Sequence, residues 1–370
     1  RSTFEHGEIA ANLLAGRGFA VRFLGADGPT SQQAPVYPVL VAGAYALGGI
    51  GTPRALLILE LGQAVLGGLL VAGVWTLART VAPDRRGVAI VAAALAALHP
   101  TLVYATTHVQ VAPLAATLLV WTLALAYRVR RTRDAVGTGL VLALLILTDP
   151  ILGLVTPGVG WAIRLGVPAR HAWRLGGVIL LAATLGIAPW IVRNYRVHGE
   201  LVLVKSTFGY AFWQGNCALS EGTDKVVRAT TEHVLNQAAG GLASWNRALW
   251  EARHEAGYLD DIALTQDGYR ALSSVSEPER SRRLFRRALT DLRSDPVRYP
   301  RLCLRRLRFF LLFDDTNPKT RSVVYRAGHL GLTLLAVLGL IAMPSDLRRR
   351  LGPTFLTVAL ITLFHSLTIV

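Results

Sequence analysis

A chain of 370 residues with 52% hydrophobic positions, 17% charged positions and a mean hydropathy of +0.41 cannot bury its apolar surface in one water-soluble core. The excess must face lipid, which excludes an ordinary soluble globular protein. The formal charge of +16 would suit nucleic acid, but the arginines lie between apolar runs and form no single patch, which excludes that partner.

The predicted elements, in chain order, begin with a short amphipathic helix. Phe4, Ile9, Ala10, Leu13 and Leu14 make an apolar stripe at helical spacing, with Glu5 and Glu8 on another face. Gly16, Gly18 and Gly25 then break it into a loop. Pro35, Val36, Tyr37 and Pro38 open an apolar stretch to 47 that is too short to span and reads as a helix at the membrane surface. The apolar runs 56–77, 88–103 and 111–127 approach the roughly 20 residues a transmembrane helix needs. Residues 137–154 and 153–163 read as two shorter helices broken around Asp149 and Pro150. Runs 175–191, 330–343 with its flanks, and 355–370 complete the series, and with the broken pair 137–163 counted once the total is seven predicted spans.

Between 196 and 321 continuous apolar character is lost, which predicts a soluble helical cap. Ser276, Glu277, Pro278 and Glu279 form a helix start there, with Ser276 as N-cap and Glu279 completing a capping box. Leu284, Phe285, Ala288 and Leu292 give that helix one apolar side, and a basic, aromatic re-entry runs over 301–313. The fold class expected is an all-α polytopic membrane protein in four parts. These are a first outer loop (1–53), membrane helices (54–195), an outer helical segment (196–321) and C-terminal membrane helices (322–370).

The arginines orient the spans. Arg79, Arg85 and Arg86 form one group, Arg128, Arg130, Arg131 and Arg133 a second, Arg164, Arg170 and Arg174 a third, and Arg348, Arg349 and Arg350 a fourth. No Lys or Arg falls within 87–126 or 134–162, where the alternate loops lie. This alternation is the positive-inside pattern. It places 1–53 and 194–325 on the outer side of a cytoplasmic membrane and gives the basic loops anionic membrane lipid as their partner. Cys217 and Cys303 both fall on the oxidising side, where they either pair or stay as two thiols. The chain opens at Arg1, holds one methionine, Met343, and stops in an apolar run at Val370, so a piece of a longer protein is expected.

Chemistry-bearing residues on the outer side are few. Glu5 and Glu8, three apart on one short helix, are candidate bases or else the solvated face of that helix. Arg193 and Arg196 run against the charge bias at an outer helix end. Such guanidiniums either grip a phosphate or anchor the helix at the head groups beside Trp190 and Tyr195. Arg305, Arg306 and Arg308 carry the same two readings. Asp149 either borders a pocket or caps the helix restarted at Pro150, and Glu60 and Gln63 lie inside an apolar run. His6 and His108 lack further ligands at a recognisable spacing, so no metal site is expected.

Four segments in order carry a family resemblance: 4–19 (FEHGEIAANLLAGRGF), 28–38 (from Gly28, Pro29 and Thr30 to Pro38), 189–195 (PWIVRNY) and 212–216 (FWQGN). With them the chain resembles the bacterial membrane glycosyltransferases of family 39, relatives of protein O-mannosyltransferases and of the lipid A aminoarabinose transferase. The resemblance implies a GT-C helix bundle and inverting transfer of a sugar from a polyprenyl-phosphate donor. The acceptor would be a hydroxyl on a protein, lipid or glycan at the outer face of a bacterial inner membrane, and no further cofactor is implied. It implies Glu5 as base with Glu8 second, Arg193 and Arg196 as donor-phosphate contacts, and a pocket drawing on His6, Tyr37, Asp149, Trp213 and Asn216. The chain departs from the family where Ser2 and Thr3 replace an acidic pair, Ala112 a glutamate and Asp149 an arginine. A transporter or flippase of a lipid-linked glycan, or an inactive scaffold of the same fold, are the alternatives. The lack of two matching halves speaks against the transporter.

Overall fold

Alanine- and leucine-rich runs punctuated by proline and glycine fold into helices separated by short breaks. In the computed structural model the described residues are 3–22, 27–223, 271–315 and 318–369. Among them no strand forms, and Ala20 and Pro29 make an isolated antiparallel bridge. The helices are α1 (Phe4–Leu14), α2 (Val36–Gly48), α3 (Pro53–Val81), α4 (Arg86–Leu98), α5 (Pro100–Thr106), α6 (Ala112–Ala126) and α7 (Thr132–Ile146). Then come a 3-10 turn (Pro150–Val155), α8 (Thr156–Gly166), α9 (Ala169–His198) and α10 (Phe208–Asn216). Beyond residue 270 lie α11 (Glu277–Ser294), α12 (Arg298–Leu311), a 3-10 turn (Pro318–Arg321), α13 (Val323–Ile341) and α14 (Ser345–Leu367). Gly25 and the central part of the outer segment lie outside the described residues.

The protein is an all-helical polytopic membrane protein, but the expected seven spans are not all single helices. Among the described residues four helices, α3, α9, α13 and α14, are long and apolar enough to cross a membrane, or five crossings if α4 and α5 count as one. Pro100 cannot supply the amide that would continue α4, and the chain bends by 56° there. The 15 residues of α6 rise only about 22 Å, short of a hydrocarbon core about 30 Å thick. The region 137–163 is broken as the sequence indicates. Asp149 Oδ1 accepts the Ile151 amide at 3.2 Å and caps the turn that restarts at Pro150.

The described residues divide into two compact units: Ala34–Arg193 with Ala327–Ile361, and Arg1–Gln33 with Asn194–Arg326 and Thr362–Val370. In the membrane-helix unit α3 packs against α2, α4, α5 and α6. A core of Leu123, Leu142, Leu145, Val159, Ile163, Leu175 and Ile179 joins α6, α7, α8 and α9. Small residues set the helix approach. A β-carbon on Gly139 would overlap the Ile179 and Ala182 region of α9, and one on Gly186 would meet Ala143 at 2.7 Å. Gln63 is fully buried between helices. Its Oε1 accepts from Tyr37 Oη at 2.9 Å and the Gln110 amide at 3.1 Å, and its Nε2 donates to the Thr106 and His108 carbonyls. Gln63→Leu strands two donors and two acceptors, and we expect a loss of about 1–3 kcal/mol, read as a lower melting temperature of the detergent-solubilised protein.

The arginine-rich loops of this unit share one end. Tyr127 Oη donates to the Arg350 carbonyl at 2.6 Å, Arg350 Nη1 donates to the Val81 carbonyl at 3.4 Å, and the Arg130 guanidinium lies against Gly166. Termini of α3, α6, α8 and α14 thus meet at a common basic end, which is the clustering that the alternating charge pattern requires.

In the second unit α10 packs on α11. The Gly209 amide donates to Ser281 Oγ at 2.9 Å, and a β-carbon on Gly209 would overlap the Ser281 carbonyl. Phe212, Trp213, Leu284, Ala288 and Leu292 form the core between them, with the rings of Phe212 and Phe285 4.9 Å apart. Ser276 caps α11 as expected, accepting the Glu279 amide at 3.4 Å. The Glu279 carboxylate pairs instead with Arg282 and Arg283 on the next turn, so the reciprocal half of the expected capping box is replaced by ion pairs. Cys217 is buried, Cys303 is half-buried, and both are free thiols.

Candidate functional site

The segment 4–19 folds as its pattern indicates. Ile9 and Ala10 are fully buried, Glu5 is half-buried and Glu8 is exposed on α1. Asn12 organises the exit from this helix: its side chain donates to the Ala20 carbonyl at 2.7 Å and accepts from Arg17 Nε at 2.8 Å. Gly16 and Gly18 take φ of 72° and 78°, which side chains rarely adopt, and so turn the chain. Residues 19–21 then pair with 28–30. Glu8 Oε1 accepts the Arg22 amide at 2.9 Å, so this carboxylate already holds the returning loop. Among the described residues no comparable bond fixes Glu5.

His6, between the two glutamates, has a solvent-shielded Nδ1. Burial, reinforced by the Lys205 charge, lowers its pKa from 6.5 to about 4. The folded protein therefore binds this proton less readily than the unfolded chain. Its contribution to stability is complete above pH 6.5 and is lost as pH falls from 6.5 through about 4. We expect acid unfolding in that window to be blunted in His6→Gln, measured as melting temperature against pH.

Behind α1 the same unit contains a buried polar cluster that sequence reasoning does not find. Glu277, the first residue of α11, has both carboxylate oxygens engaged. Oε2 accepts from Thr30 Oγ1 at 2.6 Å, and Oε1 accepts from the Ser31 amide at 2.7 Å and from Ser206 Oγ at 2.5 Å. Ser31 Oγ donates to Asn194 Oδ1 at 2.7 Å, so at 2.8 Å from His198 Nε2 it accepts the ring proton. That nitrogen lies 4.0 Å from Glu277 Oε1. Asn194 Nδ2 donates to the carbonyls of Val202 and Val204 at 3.1 and 3.3 Å. The cluster joins the first outer loop, the end of α9, the 200–207 loop and α11. The helix N-terminus supports the Glu277 charge. The only local signal was Glu277 itself within the helix start, and nothing local reports that its partners lie as far as 247 positions away. Glu277→Gln puts an amide against donors, and we expect a loss of about 1–3 kcal/mol, measured by thermal unfolding.

The remaining predicted residues are split between the two units. In the second unit Arg196 is exposed. Trp213 is fully buried in the α10–α11 core, with the Arg287 guanidinium 5.9 Å from its ring. Asn216 is also fully buried: its Nδ2 donates to the Phe212 and Thr368 carbonyls at 2.8 and 2.9 Å, and its Oδ1 accepts from Arg306 Nη2 at 2.7 Å. All its polar atoms hold the fold together. Arg306 is fully buried as well, and also donates to the Gly222, Ser366 and Gly215 carbonyls. Burial pushes its pKa down to about 10. In the membrane-helix unit Tyr37 points its hydroxyl to Gln63, Asp149 caps the turn, and Arg193 stacks 4.8 Å from the Trp190 ring centre. Glu5, His6 and Glu8 therefore share α1, while Tyr37, Asp149 and Arg193 belong to the other unit.

Comparison with known proteins adds little to this geometry. No family model matches the chain, and no curated protein matches it. Among solved structures, the crystal structure of ArnT from Cupriavidus metallidurans bound to undecaprenyl phosphate aligns over 99% of this chain and 72% of its own. The identity is 14% and the TM-score 0.41. At that level of similarity no residue of this chain takes a role from it.

Proposed function

We propose that this chain is a GT-C-type membrane glycosyltransferase that moves a sugar from a polyprenyl-phosphate donor to a hydroxyl acceptor at the outer membrane face. The observation carrying the reading is the first outer segment. The run 4–19, which resembles family 39 transferases, forms a folded helix with Glu5 half-buried and uncommitted to the loop, on a unit of polar, densely hydrogen-bonded segments. In this reading Glu5 takes the proton of the acceptor hydroxyl. The acceptor oxygen bonds to the anomeric carbon with inversion, and the bond to phosphate breaks, releasing polyprenyl phosphate. Glu8 is the second choice as base.

Arg193 and Arg196 are the proposed contacts for the departing phosphate. The Arg193 guanidinium lies over the Trp190 ring, 4.8 Å from its centre, and a planar guanidinium is the group that grips phosphate bidentately. His6, Tyr37, Asp149, Trp213 and Asn216 enter only as second-rank pocket residues, since Asp149 and Asn216 have side-chain atoms engaged in capping and packing.

The test is incorporation of label from radiolabelled polyprenyl-phosphate sugars into acceptors, in membranes containing the protein. Transfer supports the reading. Movement of the labelled lipid between leaflets without transfer would replace it with the flippase alternative.

A further inference from the structure

A groove of about 680 Å³ runs between α8 and the first half of α9, within the membrane-helix unit. Its lining is mostly apolar and includes Trp161 and Trp173, 40% and 82% exposed, together with Arg164. Gly160, Gly176 and Gly177 also line it. Glycines in membrane helices usually serve close packing, and Gly139, Gly158 and Gly186 of this unit do so, each meeting neighbouring atoms where a β-carbon would go. Gly160, Gly176 and Gly177 differ: a β-carbon on any of them would meet nothing within 4 Å, and none has a positive φ. Gly43, Gly62, Gly68 and Gly137 of the same unit are as open, but Gly160, Gly176 and Gly177 fall together in the lining of one groove. Their effect is to hollow the surface.

The groove reaches the basic end of the unit through Arg164. Arg164 lines it, Arg170 and Arg174 lie on the first turns of α9, and Arg130 sits against Gly166 at the end of α8. Among the described residues, the salt bridges formed there involve none of Arg164, Arg170 or Arg174. A concave apolar slot lined by tryptophans, with a guanidinium in its lining and others on the neighbouring turns, is an arrangement that takes an acyl chain and the anionic group attached to it.

We infer that this groove is a binding site for an anionic phospholipid of the leaflet at the basic end, with one acyl chain lying over Gly160, Gly176 and Gly177 and the phosphate reached by Arg164. It is separate from the proposed donor contacts at Arg193 and Arg196, which lie at the other end of α9. The site holds whether or not the chain transfers sugar.

The test uses the two tryptophans as reporters. Detergent-solubilised full-length protein is titrated with phosphatidylglycerol or phosphatidylcholine carrying bromine on the acyl chain, which quenches indole fluorescence on contact. The expected result is saturable quenching by brominated phosphatidylglycerol at a mole fraction at least about fivefold lower than for phosphatidylcholine, the factor one arginine supplies near a charged lipid. Arg164→Gln brings the two lipids together. Gly177→Leu fills the slot without a backbone clash and removes the saturable phase, while far-UV circular dichroism stays unchanged. Equal quenching by both lipids overturns the assignment, because it describes ordinary boundary lipid. So does full quenching in the Trp161→Phe, Trp173→Phe double variant, and so does displacement by a polyprenyl phosphate that phosphatidylglycerol fails to match.

Discussion

If the proposed function holds, Glu5→Gln is expected to lower sugar transfer by about 10²–10⁴-fold, the range a positioned general base supplies, and to leave the melting temperature unchanged. Glutamine keeps the shape of the side chain but cannot take a proton from the acceptor hydroxyl. The fold of α1 does not depend on this carboxylate: Ile9 and Ala10 bury the helix, and Asn12 holds its exit turn. Glu8→Gln acts differently. Its Oε1 accepts the Arg22 amide, an interaction an amide oxygen also satisfies, so transfer falls only severalfold. The check is the initial rate with a radiolabelled polyprenyl-phosphate sugar at saturating donor, with melting temperatures on the same preparations. Full activity in Glu5→Gln removes the base assignment. A large loss in Glu8→Gln alone moves the assignment to that residue.

Arg306→Met destabilises the protein by about 3–5 kcal/mol, as removal of a buried, fully bonded charge does. The guanidinium donates to three main-chain carbonyls and to Asn216 Oδ1, and methionine leaves all four acceptors buried without a donor. Three of its four acceptors lie at the ends of α10 and α14, Gly215 and Asn216 on one and Ser366 on the other. The negative ends of the two helix dipoles therefore stabilise the charge, and among the described residues no carboxylate forms an ion pair with it. The neighbouring Arg305, which pairs with Glu221 at 2.7 Å on a partly exposed surface, serves as the control. Arg305→Met shifts stability by no more than about 1 kcal/mol. Denaturant unfolding in detergent, followed by circular dichroism, separates the two. A similar small effect for both variants would remove the structural role of Arg306.

These two expectations rest on unequal kinds of legibility. Glu5 was visible because its helix is encoded within a dozen consecutive residues, as an apolar stripe with glycines after it. Arg305, Arg306 and Arg308 looked alike in sequence, all basic residues in one re-entrant run. Only their different contacts set them apart: Arg306 is fully buried, whereas Arg305 and Arg308 pair with Glu221 and Asp315. Trp213 and Asn216 were singled out as pocket residues within a motif, yet Gly215 in the same motif shows the packing at work. A β-carbon there would overlap the Thr368 carbonyl from the far end of the chain.

By itself the sequence determined the helical, membrane-spanning class, the common basic end, the α1 helix with its two carboxylates, the Ser276 cap and the break at Asp149 and Pro150. Each is set by hydrophobicity, charge or capping acting within a turn or two of helix, or by counting charges in loops. Tertiary structure alone decided the convergence of Glu277, Ser31, Asn194 and His198, the burial of Arg306, and the glycine-lined groove. These depend on residues up to 247 positions apart meeting in one place. No local pattern carries that information, because it is fixed by how the whole chain packs.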